Sequence, residues 1–294
     1  MEGGGRVRIG ISGWRYAGWR GIFYPQGLQQ RRELEFASQA FDTIEINGTF
    51  YSLQRPKSFA QWATETPEDF VFSLKGSRYI THMLKLRGIE LALANYFASG
   101  MLALGRKMGP VLWQFPPQMR WNLERFSDFF RMLPRSTKEA AKLAQRCDDR
   151  MLERSVLEAK EDLPIRHCVE IRHESFAVPG FVDLLREYGI GLVVADTVEW
   201  PLLMDVTTSF VYCRLHGSEQ LYASGYEAEA LDRWADRVFA FATGTPADGR
   251  YAGVPVGDGR ARDVFVYFDN DIKVRAPFDA AGLRERVLAR STGD

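Results

Sequence analysis

Cysteine is scarce in this chain of 294 residues: there are three, Cys147, Cys168 and Cys213. They are too few and too scattered for a disulfide framework or a zinc ribbon, and read as small buried hydrophobes of a reducing compartment. Charge of one sign is lacking too, since 38 Lys and Arg balance 38 Asp and Glu. No global field therefore draws the chain to nucleic acid or to an anionic membrane, and any such binding must be local. No apolar run approaches the ~20 residues of a membrane span, and no signal core follows Met1 to Arg6. Neither Gly-x-Gly-x-x-Gly after a strand nor Gly-Lys-Ser/Thr occurs, which removes sequence support for a dinucleotide or P-loop cofactor. A cytoplasmic enzyme or binding protein without a membrane partner is the expectation.

What is present is material for a large core, 46% apolar and 13% aromatic. Strand-like runs recur eight times: Val7 to Ser12, Thr43 to Asn47, Val71 to Lys75, Val111 to Phe115, Cys168 to Arg172, Leu192 to Asp196, Val211 to His216 and Val264 to Asn270. Helical periodicity fills the gaps, as in Leu123 to Leu133 and Phe181 to Tyr188. This alternation predicts an α/β fold, a (β/α)8 TIM-type barrel in a single domain over 1–294 with its core at about 7–290. Ser136 to Leu163 reads as an extra, charged and solvated helical segment between strands four and five. The Gly- and Pro-rich run Thr243 to Arg262 reads as a mobile loop.

Alternate residues of a strand point to opposite faces. One set is apolar and suits the surrounding helices: Ile44 and Ile46, Phe72 and Leu74, Val169 and Ile171, Val193 and Ala195, Cys213 and Leu215. The other turns polar toward each strand's C-terminal end, with Ser12, Glu45, Asn47, Lys75, Gln114, Glu170, Arg172, Asp196, Arg214, His216 and Asn270. A packed lower interior under an ionisable mouth is where barrel active sites sit.

Gly13-Trp14, Glu45-Ile46-Asn47, Thr49-Phe50-Tyr51, Phe72-Ser73-Leu74-Lys75, Thr81-His82, Gln114-Phe115-Pro116-Pro117, Glu170-Ile171-Arg172-His173, Arg214-Leu215-His216-Gly217 and Tyr267-Phe268-Asp269-Asn270 follow in that order. Together they closely resemble the YecE-like family, domain of unknown function 72, from about Ile9 to the last strand. The resemblance implies a TIM-type barrel and no assigned activity. Asp269 stands where that family commonly has Asn, and Phe176 where Trp often follows the Arg-His motif. By parity Asp269 is expected at the helices or the rim.

The mouth set permits acid–base chemistry, with Glu45, Lys75, Glu170, Asp196 and His216 as the groups that would move protons. Arg172 and Arg214 suit bidentate capture of phosphate or carboxylate. Asn47, Gln114, His173 and Asn270 would add hydrogen bonds, and Trp14, Tyr51 and His82 would line the ligand from the following loops. The plainer alternatives are a salt-bridge network closing the barrel, loop aromatics filling a small core, and a His173 that only shapes its turn. His167 has helix-facing parity and reads as structural. No cofactor is predicted. A divalent metal is the less favoured alternative, because Lys75, Arg172 and Arg214 repel a bare cation and no His-x-x-x-His pair occurs.

The leading expectation is an enzyme, by its chemistry a hydrolase, lyase or isomerase, acting on a small anionic ligand such as a phosphorylated sugar or nucleotide. A nucleic-acid-binding or nuclease-like barrel, using the basic rim Arg15, Arg20, Arg78, Lys85 and Arg87, is the second. A non-catalytic ligand-binding protein is the third. Oligomeric state is left open.

Overall fold

The two side-chain sets of each strand decide the architecture, one being buried by helices and the other by the opposite strands. In a computed structural model, which describes residues 5–151, 153–217 and 224–292, eight parallel strands close into a barrel in sequence order. They are β1 (Val7–Ser12), β2 (Thr43–Ile46), β3 (Val71–Lys75), β4 (Met108–Gln114), β5 (His167–Glu170), β6 (Gly191–Asp196), β7 (Phe210–Leu215) and β8 (Asp263–Phe268). Closure is carried by β1, which pairs with both β2 and β8.

Between and after the strands run α1 (Glu33–Ala40), α2 (Gly48–Tyr51), α3 (Pro56–Thr64), α4 (Glu90–Ala98), α5 (Leu123–Met132), α6 (Thr137–Ala144), α7 (Pro179–Tyr188), α8 (Ala228–Thr243) and α9 (Ala276–Thr292). Their boundaries follow local chemistry. The Asn122 side-chain Oδ1 accepts from the Arg125 amide at 2.9 Å and caps α5, whose buried Phe126, Phe129 and Phe130 recur at helical spacing. Pro179 opens α7, and Gly189, at φ 60°, ends it in the left-handed conformation.

The outer core collects Ile44, Ile46, Phe72, Leu74, Val169 and Ile171. A separate apolar plug fills the lower barrel with Val71, Leu112, Cys168, Val193, Ala195, Phe210, Tyr212, Phe265 and Tyr267. In β6 the expected faces are thus exchanged, with Val193 and Ala195 inside and Leu192 and Val194 against the helices. Both sets are apolar, so alternation alone does not separate them. Pairing does, because Ala195 lies beside the inward-facing Arg214.

Asp196 consequently points away from the mouth and accepts from Trp234 Nε1 of α8 at 2.8 Å. The end of β8 is corrected in the same way. Phe265, Tyr267 and then Asp269 share the inward parity, while the Asn270 amide donates outward to Asp279 of α9 at 2.7 Å.

In the charged run after α5, the described residues form α6 and a short 3-10 turn, Asp149–Met151. The Ser136 hydroxyl caps α6 by accepting from the Glu139 amide at 3.3 Å, and Ala140, Ala141 and Ala144 are buried against α4 rather than solvated. The Gly- and Pro-rich stretch before β8 holds no helix or strand between 245 and 262. Its middle is held by the Asp205 carboxylate, which accepts from the Ala252 and Gly253 amides, both at 2.8 Å. His167 is structural, accepting from Trp113 Nε1 at 3.2 Å and bonding the Pro134 carbonyl at 2.8 Å. No helix among the described residues is long and apolar enough to cross a membrane.

Gly76 continues β3 beside the fully buried Trp113, and a Cβ there would lie 2.3 Å from the indole. Gly76→Ala is expected to lower stability by roughly 1–3 kcal/mol, because a packed ring must shift. An unchanged urea midpoint would contradict this packing.

Candidate functional site

Above the apolar plug the barrel interior becomes ionic. Arg214, from β7, is fully buried, and its guanidinium meets three carboxylates supplied by separate strands. It donates to Glu45 at 2.9 and 3.1 Å, to Glu170 at 2.6 Å and to Asp269 at 2.7 Å. Glu45 also accepts from the Tyr212 hydroxyl at 2.6 Å and from the Ser12 hydroxyl. Glu170 accepts from Gln114 at 2.8 Å and from Arg172 at 2.7 Å. His216, also fully buried, lies with Nδ1 3.1 Å from Asp269 and Nε2 3.6 Å from Glu170.

A cavity of about 790 Å³ opens above this layer. Its floor is Lys75, Gln114 and Asp269, with Arg172 at the side. Trp14, Asn47, Phe50, Trp62, Arg78 and His82 also line it, together with Arg15, Tyr51, Asp271 and Ile272. Trp14 packs edge-on against Trp62 with centroids 5.4 Å apart, and Phe50 meets His82 in the same way at 5.2 Å. His82 rides on a π-helical turn, Tyr79–Met83, an irregularity frequent at functional sites. Arg172 lies flat over Trp200, 3.7 Å from the ring centroid, which fixes its guanidinium at the cavity's edge.

Lys75 differs from its cationic neighbours. Arg214 and Arg172 are paired, whereas the Lys75 ammonium has no hydrogen-bond or ion-pair partner among the described residues and sits 4.7 Å above the Phe50 ring. Burial, and next the charge of Arg214, push its pKa down to about 8. Burial and the nearby Asp269 charge push Asp271, which lines the same cavity, up to about 6. Burial, with Arg172, Lys75 and Arg78, pushes His82 down to about 4, so it is neutral near pH 7. For Glu170 and Asp269, burial opposes ionisation, but Arg214 prevails and holds both carboxyls well below the usual range.

Glu45, Lys75, Gln114, Glu170, Arg172, Arg214 and His216 thus converge at one end of the barrel, with Trp14, Asn47, Tyr51 and His82 around them. Only some of these reach the cavity. Glu45, Glu170, Arg214 and His216 lie beneath its floor with no exposed surface. Asp196 and Asn270 face the helices. The His173 ring accepts from the Ser175 amide at 3.1 Å and shapes its turn outside the cavity. Tyr222, an aromatic in the connection after β7, lies outside the described residues.

Three groups escaped the sequence reading. Asp269 faces the barrel interior against Arg214, not the helices or the rim that parity suggests. Asp271 sits in a turn with no motif, closed by Val274 at φ 57°, a strained conformation for a β-branched residue. Trp200, the platform for Arg172, lies in a long connection between strands. The aromatic pair Phe265 and Tyr267 was the available signal for Asp269, since it defines the inward set of β8.

The family model described as "Protein of unknown function DUF72" matches residues 8–293. The chain belongs to this family. Curated relatives carry the same absence of an activity in their names. UPF0759 protein YunF of Bacillus subtilis is 28% identical over 122 residues, 38% of this chain and 40% of that protein. UPF0759 protein YecE of Escherichia coli K12 is 28% identical over 110 residues, 37% and 38% of the two chains. The matched stretch therefore spans well under half of either relative.

Among solved structures, a DUF72 family protein of Thermotoga maritima superposes with TM-score 0.71 at 21% identity, covering 96% of this chain and 99% of that one. Another from Enterococcus faecalis gives 0.68 at 15%, covering 96% and 95%. These likenesses show the DUF72 fold.

Removing Arg214 leaves three buried carboxylates facing one another. Arg214→Met is expected to cost about 3–5 kcal/mol at pH 7. Carboxyls held low in the folded state supply stability that is present above their unfolded pKa of about 4 and lost as pH falls below it. The gap between wild type and variant should accordingly narrow toward pH 3; urea titrations across pH that show a constant gap would contradict the assignment.

Lys75 has the opposite sign. Its folded pKa of about 8 lies below the unfolded value, so the wild type is penalised below pH 8 and recovers as pH rises beyond it. Lys75→Met is expected to stabilise by up to roughly 3 kcal/mol at pH 7. That gain should disappear by about pH 10.4, and thermal unfolding of both proteins from pH 7 to 10.5 reads it directly.

Proposed function

We propose that the barrel mouth is the active site of an enzyme that binds a small anionic substrate and works on it by acid–base chemistry. The observation that carries this reading is the unpaired, buried ammonium of Lys75 in the floor of a cavity of about 790 Å³. An ammonium without a counterion is costly in the absence of a ligand, and an anion supplies the missing partner. Arg172, fixed by Glu170 and Trp200, and Arg78, which lines the same cavity, add positive charge to it. The volume suits a compact metabolite, and the aromatic wall offers a face for its apolar part.

Proton transfer falls to the groups that reach the cavity. Near pH 7 Asp271, at about 6, is mostly carboxylate and serves as base, while Lys75, at about 8, is mostly ammonium and serves as acid. This displaces the expectation from Glu45, Glu170 and His216, which lie beneath the floor and act by positioning Arg172 and Asp269. Hydrolysis, elimination and isomerisation all fit such a pair. The site's donors also frame the alternative of a metal. Among the described residues no group of three or more His, Cys, Asp and Glu side chains is arranged to hold an ion.

Sulfate, whose charge is constant through this range, is a suitable probe. Added sulfate is expected to raise the wild-type melting temperature above a chloride control of equal ionic strength. The rise should be larger at pH 6.5 than at pH 9.5, with the step near pH 8 absent in Lys75→Met. Equal shifts in the two proteins at every pH would overturn the anion site.

A further inference from the structure

Lys75 is more than a positive charge in this geometry. We propose that the Lys75 amine forms an imine with the carbonyl carbon of a substrate that is an aldehyde or ketone bearing a phosphate or carboxylate group. The inference rests on the anionic-substrate reading above and adds a covalent step to it.

Three features of the cavity carry it. First, the amine is presented for reaction. It projects from the C-terminal end of β3 into the cavity, held by the fold with no hydrogen bond to its nitrogen from any described residue. A lysine meant only to fix charge would be locked by a carboxylate, as Arg172 is by Glu170 at 2.7 Å. Here the carboxylates nearest the barrel axis, Glu45, Glu170 and Asp269, are already occupied by Arg214.

Second, the surroundings favour the neutral amine that attack requires. Phe50 covers one side, and Arg214 below contributes a second cation, the two devices by which a lysine is made nucleophilic. With its pKa near 8, about a tenth of the amine is neutral at pH 7, some hundreds of times more than for a free lysine.

Third, the remaining groups suit the other end of the reaction. Arg172 and Arg78 can hold the substrate's anionic group, and Asp271 is poised to gain and lose protons near neutrality.

The step balances without a redox partner. The Lys75 ammonium first gives a proton to the Asp271 carboxylate, leaving the neutral amine and a protonated carboxyl. The amine then adds to the carbonyl carbon, an N–C bond forms, and the carbonyl π pair moves to oxygen, which takes that proton from Asp271. The nitrogen returns one proton to the Asp271 carboxylate, giving a neutral carbinolamine. Asp271 then protonates the hydroxyl, the C–O bond breaks and water leaves. The nitrogen lone pair closes the protonated imine, whose positive charge lies over Phe50 and within reach of Asp269. Reversal by water restores the amine. In the iminium form, carbon–hydrogen or carbon–carbon bonds adjacent to the former carbonyl are weakened, which places the reaction among the lyases and isomerases.

Borohydride trapping tests this. The wild type is incubated in turn with glyoxylate, pyruvate, dihydroxyacetone phosphate and pyridoxal 5′-phosphate, reduced with borohydride, and mapped by peptide mass spectrometry. At least one probe is expected to give a single reduced adduct on Lys75, at low probe concentration, before exposed lysines such as Lys57 and Lys138 are labelled. Trapping should rise through pH 8.

Lys75→Arg, which keeps the charge without the nucleophile, and Lys75→Met, which keeps neither, should give no adduct at this segment. Labelling of surface lysines as fast as Lys75, or no adduct on Lys75 with any probe, would sink the imine. The sulfate experiment separates the two readings: a wild-type sulfate response without trapping removes only the covalent step, and loss of the sulfate response removes the anion site itself.

Discussion

Arg214 is the constraint around which the barrel mouth is arranged. A guanidinium removed entirely from water must be surrounded by acceptors, and here Glu45, Glu170, Asp269 and Ser12 supply them from four positions around the barrel. Each contact is specific to one strand. The pairing of Ser12 with Glu45, and of Gln114 with Glu170, brings the partners to one level of the barrel. Sliding β2 or β5 by one residue would turn its carboxylate toward the helices and take an acceptor from the guanidinium.

Stability alone does not account for this layer. Directly below it the same barrel is filled by an apolar plug of Leu112, Cys168, Val193, Phe210 and Phe265, and replacing a buried ion cluster by such residues is commonly neutral or stabilising. What the ionic layer provides is position and field. Glu170 is gripped by Arg214 from below and orients Arg172 above. Asp269 is kept ionised by Arg214, and burial together with the Asp269 charge raises Asp271. The two aspartates, two residues apart in sequence, thereby acquire opposite tendencies, a separation characteristic of acid–base sites.

The fold was legible because it is written redundantly. Eight strand runs recur with helical or loop segments between them, and β2, β3, β5 and β7 each set an apolar face against a polar or ionisable one. β6 and β8 carry apolar residues on both faces, so periodicity is silent about orientation there. That silence misplaced Asp196, Asn270 and Asp269 in a single stroke.

The site was legible as a collection of residue types converging on the mouth. What sequence could not show was the vertical order of those residues. Nothing in the spacing of Glu45, Glu170 and His216 says that they lie under the floor, because depth is set by barrel tilt and by side-chain length. Asp271 and Trp200 depend on the course of loops, which the backbone reaches through local strain at Val274 and through packing far from any repeat.

The contrast between Lys75 and the two arginines follows from their chemistry. A guanidinium keeps its charge under almost any burial, so at the barrel axis it can organise carboxylates without itself becoming reactive. An amine in the same field responds by losing its proton more readily, since its charged form is the only one penalised. Exchanging the two residue types would reverse the outcome. A lysine at position 214 has too few donors, and the wrong fork, to hold three carboxylates, and an arginine at position 75 would stay cationic whatever its surroundings. Strand β7 therefore carries the residue that must not titrate and β3 the residue that can, and the barrel brings the second within the electrostatic reach of the first.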